Sequence, residues 1–233
     1  MNEIEQIVDA TANGRWNLGL TPQMLAKLLR YAEMLVDWNT RLNLTRITDP
    51  NGIAVKHFLD SLAILHLVRI DPGTRLIDVG TGAGLPGVAL KIVRPDLDIV
   101  LLDSTAKKLA FCDAVIADLG LTGIRTVHAR AEDLARDPSH ARAYPITACR
   151  ALAALEKLLP WCAPLAAPGG RIVALKGAAA ADEVRAAAAV ARRLGVRIAA
   201  PIPVDLPGEE ASAHTLVVAR VGAAALRRAS GLA

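Results

Sequence analysis

The stretch Leu76–Gly87, which reads L-I-D-V-G-T-G-A-G-L-P-G, constrains the fold of this chain more than any other. An apolar run ends in an acid and continues into closely spaced glycines at Gly80, Gly82, Gly84 and Gly87. Glycine lacks a Cβ and tolerates positive φ, so a ligand can lie directly against the main chain of such a loop. The stretch therefore predicts a strand, a ligand-binding turn and a helix, with Pro86 suited to the first helical position.

Two ligand classes fit this loop, and Asp78 favours one of them. Gly82, Gly84 and Gly87 satisfy the G-x-G-x-x-G spacing of dinucleotide sites, which is a weak signal on its own. A carboxylate at Asp78 would repel a pyrophosphate, whereas it suits the ammonium and sulfonium of S-adenosylmethionine. The structural alternative is that Asp78 caps the glycine turn through backbone amides. We expect Asp78, Gly80, Gly82 and Gly84 to contribute to an S-adenosylmethionine site.

Composition narrows the class of protein. With 53% hydrophobic and 21% charged residues among 233, the chain is not of the disordered type. Its apolar runs are shorter than the roughly 20 residues of a membrane span, so we expect a cytoplasmic protein without membrane contact. Cys112, Cys149 and Cys162 match neither a disulfide framework nor a metal site and are interpreted as reduced thiols. The net charge of +4 is compatible with a polyanionic partner.

The beginning of the chain predicts helices. Apolar residues recur with helical spacing over residues 21–38, where a Thr-Pro pair supplies a cap and a first-turn proline. A second helix is expected over residues 52–68, before a turn-forming Asp-Pro-Gly. We therefore assign residues 1–73 to a helical N-terminal extension and residues 74–233 to the domain that carries the glycine loop.

Beyond residue 73, short apolar strands alternate with helical segments, which is typical of an α/β fold with a mostly parallel sheet. The last two strands have no room for a helix between them and can pair only as an antiparallel hairpin. An alanine-rich surface helix is expected over residues 178–194. The seven predicted strands are Arg75–Val79, Ile99–Asp103, Ile124–His128, Ile146–Cys149, Arg171–Lys176, Val196–Val204 and Thr215–Val221.

Polar residues stand at or just beyond the ends of three of these strands. Asp103 can accept hydrogen bonds from the ribose of an adenosine-containing ligand, and the alternative is a helix N-cap. Ala131 and Glu132 stand where an adenine pocket forms, although a helix dipole also favours an acid at Glu132. Arg150 could engage a phosphate, a carboxylate or a guanine edge.

A second polar group interrupts the predicted helices. His57, Asp60 and Ser61, in H-F-L-D-S, fall on one helical face because positions three and four apart are neighbours. A lone helical histidine is more often structural than catalytic, and no metal cluster accompanies it. We keep these three residues, with Arg150, as substrate-side candidates and expect no metal.

Seven motifs occur in order over roughly residues 20–180: W-N-T-R-L-N-L-T, H-F-L-D-S-L, the glycine loop with V-A-L-K-I-V-R-P, L-L-D-S, A-R-A-E-D, C-R-A and A-L-K-G. Taken together, these motifs resemble the RsmG (GidB) family of bacterial small-subunit (16S) rRNA guanine-N7 methyltransferases. The chain departs mildly from the family pattern at Leu85, where many relatives have Phe, and at Cys149, where Ser is usual.

The resemblance implies a class I S-adenosylmethionine-dependent methyltransferase fold that acts on a guanine near the decoding centre. It implies cofactor contacts from Gly80, Leu85, Ala131, Glu132 and Arg150, with 16S rRNA or the small ribosomal subunit as partner. We expect the protein to be a monomer.

Guanine N7 offers a lone pair and has no proton to lose, so alignment without a general base would suffice for its methylation. Two alternatives stay open. An NAD-dependent oxidoreductase also fits the loop and Asp103, although Asp78 and the seven-strand ending count against it. A non-catalytic RNA-binding module with the same fold is the other.

Overall fold

The N-terminal helices begin at side chains that cap them. The computed structural model describes residues 1–210 and 213–223. Helix α1 (Glu3–Ala12) is capped by the side chain of Asn2, whose main-chain N–H donates to the carboxylate of Glu5 at 2.8 Å. Helix α2 (Pro22–Leu42) is confirmed where the apolar spacing placed it. Helix α1 was not among the predicted elements, although the Asn2 and Glu5 spacing of a capping box is visible in the sequence.

The second predicted helix is present but is not uniform. It begins as α3 (Pro50–Gly52), continues as a π-helical segment (Ile53–Leu59) and ends as α4 (Asp60–Leu67). The wider π-helical turn changes which side chains share a face, and such turns are frequent at functional sites. His57 lies within this segment.

The sheet has the predicted α/β architecture, with the strand order β3-β2-β1-β4-β5-β8-β6 and β7 beside β8. The first five strands are parallel, whereas β8 runs antiparallel to β5, β6 and β7. The carboxyl ends of the parallel strands therefore meet at one edge, and the order reverses between β1 and β4. The strands are β1 (Arg75–Val79), β2 (Asp98–Asp103), β3 (Ile124–His128), β4 (Tyr144–Arg150), β5 (Ala166–Lys176), β6 (Val196–Ile198), β7 (Ile202–Pro203) and β8 (Thr215–Val221).

Two predicted elements are interrupted. The sixth strand, expected over residues 196–204, is split into β6 and β7, with Pro201 in the break, because proline has no N–H to donate to the ladder. The predicted alanine-rich helix is divided at Ala187 into two helices, α9 and α10. Pro86, predicted at the first position of a helix, lies one residue before α5. The remaining helices are α5 (Gly87–Val93), α6 (Ala106–Asp118), α7 (Ala131–Leu134), α8 (Leu155–Cys162), α9 (Ala180–Ala186) and α10 (Ala188–Leu194).

Two hydrophobic clusters lie on the two faces of the sheet. The first cluster joins the N-terminal helices to one face, and the second joins α8, α9 and α10 to the other. The buried hydroxyl of Tyr31 donates to the carbonyl of Ala83, which ties α2 to the glycine loop. Because the first cluster is continuous across residue 73, the N-terminal helices are part of the support of the loop. The division at residue 73 stays a prediction.

The three cysteines are buried free thiols. Among helices of the described residues, none is long and apolar enough to cross a bilayer. Over the same residues, no group of three His, Cys, Asp or Glu side chains is arranged to hold a metal ion.

Candidate active site

A cleft of about 410 Å³ opens at the carboxyl ends of the parallel strands. Five of the predicted site residues line it: Gly80, Asp103, Ala131, Glu132 and Arg150. Leu152 and Trp161 also line it, and the sequence analysis did not single them out. Its size lies within the ordinary range for small-molecule sites.

Gly80 gives the cleft a wall of bare main chain. It adopts a φ of +70°, and a Cβ added there would collide with the Leu152 side chain. The amides of Gly80 and Thr81 both donate to the carbonyl of Leu102, at 2.8 and 3.0 Å, which fixes the loop against β2. A ligand can therefore approach this backbone more closely than any side chain would allow.

Asp103 presents a fixed carboxylate to the same cleft. One oxygen accepts from the amide of Gly82 at 3.0 Å and the other from the amide of Thr105 at 2.8 Å. The N-cap of α6 is Thr105 itself, so Asp103 is not the helix N-cap that was the alternative considered from the sequence. Each carboxylate oxygen can accept more than one hydrogen bond, so the pair of oxygens can still receive two vicinal hydroxyls. Together, Gly80 and Asp103 fit an adenosine-containing ligand.

Asp78 lies behind the glycine loop, away from the cleft lining. Its Oδ2 accepts from the hydroxyl of Thr81 at 2.6 Å and from the amide of Gly87 at 2.8 Å. Its Oδ1 is buried and has no hydrogen-bond partner among the described residues. Burial raises the pKa of Asp78 to about 6. This geometry is that of a turn cap, and a direct contact with a cofactor stays a prediction.

Other predicted loop residues shape the site without lining it. Gly84 has a φ of +88° and packs against Tyr31 and Val88, while Leu85 is buried in the first cluster. At the opposite wall, Ala131 begins α7 and Glu132 is an exposed acid in its first turn. Glu132 can therefore serve the helix dipole and the cleft at once.

Arg150 joins the cleft to the N-terminal helices. Its Nη1 donates to the carbonyl of Lys56 at 2.7 Å and to Nδ1 of His57 at 3.2 Å, and it lies 3.8 Å from Oδ2 of Asp60. The structure thus brings together residues that are more than 90 positions apart in the sequence. The predicted grouping of Arg150 with His57 and Asp60 is present, although Ser61 points back and donates to the carbonyl of His57 at 2.5 Å.

His57 is held as a neutral imidazole of one tautomer. A guanidinium can only donate, so Nδ1 of His57 accepts from Arg150 and Nε2 carries the proton toward Oγ1 of Thr45, 2.9 Å away. Burial, assisted by the charge of Arg150, lowers the pKa of His57 to about 4. Asn39 in turn accepts from the amide of Thr45 at 2.8 Å. Two residues of the W-N-T-R-L-N-L-T motif, Asn39 and Thr45, therefore hold the ring of His57 in place.

Three further ionisable residues, His214, Glu209 and Lys56, complete this cluster, and none of them was predicted from the sequence. Nδ1 of His214 lies 3.0 Å from Oδ1 of Asp60, and its Nε2 lies 3.6 Å from Glu209. Glu209 also pairs with Lys56 at 3.0 Å. The hydrogen bond to Asp60 raises the pKa of His214 above its ordinary value. No local motif marks His214, because its partner is 154 positions away.

Comparison with known proteins places this chain in one family. The family model for rRNA small subunit methyltransferase G matches residues 24–200. The chain belongs to this family. A ribosomal RNA small subunit methyltransferase G of Desulfitobacterium hafniense is 44% identical over 196 residues, which cover 84% of this chain and 81% of the relative. One from Roseiflexus sp. is 44% identical over 203 residues, covering 87% and 86%.

Comparison with solved structures shows that this chain has the fold of known methyltransferases. A SAM-dependent methyltransferase from Aquifex aeolicus gives a TM-score of 0.56 at 18% identity, covering 77% of this chain and 97% of that one. TrmN from Thermus thermophilus gives 0.53 at 21% identity, covering 70% and 48%. At such identities the likeness concerns the fold alone, which is the class I methyltransferase fold expected from the sequence.

Proposed function

We propose that this chain transfers the methyl group of S-adenosylmethionine to N7 of a guanine in 16S rRNA. The observation that supports the proposal is that a wall suited to the cofactor and a cation suited to RNA line the same cleft. Gly80 and Asp103 form a wall that fits an adenosine, and Arg150 brings a cation held by the N-terminal helices to the facing rim. Membership of the rRNA small subunit methyltransferase G family supports rRNA as the substrate.

On this proposal the cofactor residues have separate tasks. The carboxylate of Asp103 accepts from the ribose hydroxyls, and the main chain at Gly80 allows close approach. Ala131 and Glu132 flank the adenine. When bound, S-adenosylmethionine supplies an electrophilic methyl group. Asp78 keeps the loop in shape from behind and lends negative charge to that side of the cleft.

The substrate side needs positioning instead of a base. Guanine N7 carries a lone pair and loses no proton, and the proton of His57 is already engaged by Thr45. Arg150 can donate to a guanine edge or to an adjacent phosphate. We assign Arg150 to aligning the base, with His57 and Asp60 as residues that position it. The helical extension, residues 1–73, would thereby complete the site.

The test is to map methylation in the RNA itself. The purified chain, S-adenosylmethionine carrying a labelled methyl group, and either small subunits or protein-free 16S rRNA are incubated, and digested nucleosides are identified by mass spectrometry. We expect 7-methylguanosine at a single position, and a monomer in size-exclusion chromatography. Methylation of another atom, or binding of NAD without binding of S-adenosylhomocysteine, would contradict the proposal.

A further inference from the structure

Three arginines stand in one row across neighbouring strands at the end of the sheet far from the cleft. Arg171 on β5 is directly opposite Arg220 on β8, and Arg220 is directly opposite Arg197 on β6. Directly opposed residues of antiparallel strands share a face of the sheet and are close neighbours. Like charges in such positions destabilise the pairing, so the row is unfavourable for the fold taken alone.

The row lies on the face of the first cluster. Neighbouring residues of a strand point to opposite faces of the sheet. The sequence neighbours of the three arginines belong to the second cluster, so the arginines point to the other face. These neighbours are Ile172 on β5, Val196 on β6, and Ala219 and Val221 on β8. Arg197 and Arg220 are exposed.

A shallow depression beside the row adds to its positive charge. Arg69, Arg171 and Arg220 line it with the turn around Gly169, and Arg171 donates to the carbonyl of Arg69 at 2.7 Å. Asp71 is the acid of this lining and lies 3.5 Å from Arg69, with both side chains largely exposed. Partial burial and the charge of Arg220 lower the pKa of Arg171 below its ordinary value. Positive charge therefore exceeds negative charge at this place.

We propose that the row Arg171, Arg220 and Arg197, with Arg69, is a second contact surface for the phosphate backbone of rRNA. Arginine binds phosphate through several planar donors, and Arg171 still has donors left after its bond to Arg69. The surface lies five residues along β5 from Lys176 at the cleft end, which is roughly 17 Å at about 3.3 Å per residue. A large folded RNA can reach both ends. The inference rests on the proposed function for the identity of the polyanion.

The test compares two double variants of equal charge. R197Q/R220Q removes the two exposed members of the row, whereas R192Q/R193Q removes two exposed arginines of α10 on the opposite face. We expect R197Q/R220Q to bind protein-free 16S rRNA about tenfold more weakly than R192Q/R193Q at low salt. Its plot of log affinity against log salt should be flatter by about 1.5, at roughly 0.7–0.9 for each phosphate contact.

Binding of S-adenosylhomocysteine should be the same in both variants, because neither pair lines the cleft. Equal rRNA affinity and equal salt slope in the two variants would overturn the inference. Loss of binding to acidic phospholipid vesicles in R197Q/R220Q, with rRNA binding unchanged, would also overturn it. If the unaltered chain methylates rRNA while the variants are equal, only this inference fails. If it binds through the row but methylates nothing, only the proposed function fails.

Discussion

One side of the cleft is formed by main chain, whereas the other is formed by charged and polar side chains. On the glycine-loop side, the wall is main chain, and its contacts are amide hydrogen bonds such as those from Gly82 to Asp103 and from Gly80 to Leu102. On the helical side, the wall is made of side chains from separate elements, with Arg150 held by His57 and Asp60. The first side therefore depends on backbone shape and the second on charge and tautomer.

This difference predicts which substitutions each side tolerates. A backbone wall fails when a side chain is added, because the close approach is lost. A side-chain cluster fails when one member is exchanged for another of the same charge but a different shape, because guanidinium and ammonium groups donate differently. The predictions below separate the two sides by measuring cofactor binding and methyl transfer independently.

The largest effect is expected for Gly80→Asp. The new side chain would collide with Leu152 and place a second acid beside Asp103 in the cleft. We expect S-adenosylhomocysteine to bind about 100-fold more weakly by calorimetry, equivalent to ~2.7 kcal/mol. Gly120→Asp is the matched control, because Gly120 has a φ of +58° but open space around it. Equal binding by the two variants would mean that the loop is not the cofactor wall.

Arg150→Lys tests the helical side with its charge retained. Both bonds, to the carbonyl of Lys56 and to Nδ1 of His57, come from the single nitrogen Nη1, and the ammonium of lysine does not reproduce the reach and planar shape of the guanidinium that place this nitrogen. We expect kcat for methyl transfer to fall roughly 30-fold, about 2 kcal/mol, with less than a fivefold change in S-adenosylhomocysteine affinity. In Arg150→Ala, loss of the neighbouring positive charge should raise the pKa of His57, measured by NMR titration. Equal losses of binding and turnover would erase the distinction between the two sides.

The smallest expected effect is a pH dependence of stability that arises from two histidines, His57 and His214, whose pKa values are shifted in opposite directions. The pKa of His57 is lowered to about 4, so its contribution to stability is present above pH ~6.5 and is lost as the pH falls toward 4. The pKa of His214 is raised by Asp60, so its contribution is present below pH ~6.5 and is lost as the pH rises through the folded-state pKa.

A double-mutant cycle of Asp60→Asn and His214→Gln, followed by chemical unfolding, measures how much the His214–Asp60 contact contributes to the free energy of unfolding. We expect a coupling energy of about 1.5 kcal/mol at acidic pH, the low end for a charged hydrogen bond, because His214 is partly exposed. The coupling should shrink at alkaline pH. A coupling that grows with pH would show that His214 is not the charged partner of Asp60.

The same contrast explains what the sequence could and could not predict. The glycine loop, Asp103 and the alternation of strands and helices follow from local signals; Asp78, for example, reaches partners only three and nine positions away. The contacts of Arg150 and His214 join residues separated by 93 and 154 positions, and no short pattern encodes such a pairing. The break in the sixth strand was visible as Pro201, whereas the π-helical turn around His57 has no periodic signature.

The position of β8 bears on how this protein is made. Among the described residues, β8 is the last strand in the sequence, and it lies in the interior of the sheet, between β5 and β6. Until translation has passed Val221, the long strand β5 has an edge of unsatisfied backbone groups, which is a site for mispairing with other chains. The nascent chain must therefore stay protected through the synthesis of almost the whole fold. A chain proposed to methylate rRNA therefore leaves β5 with an open edge until β8 has been synthesised.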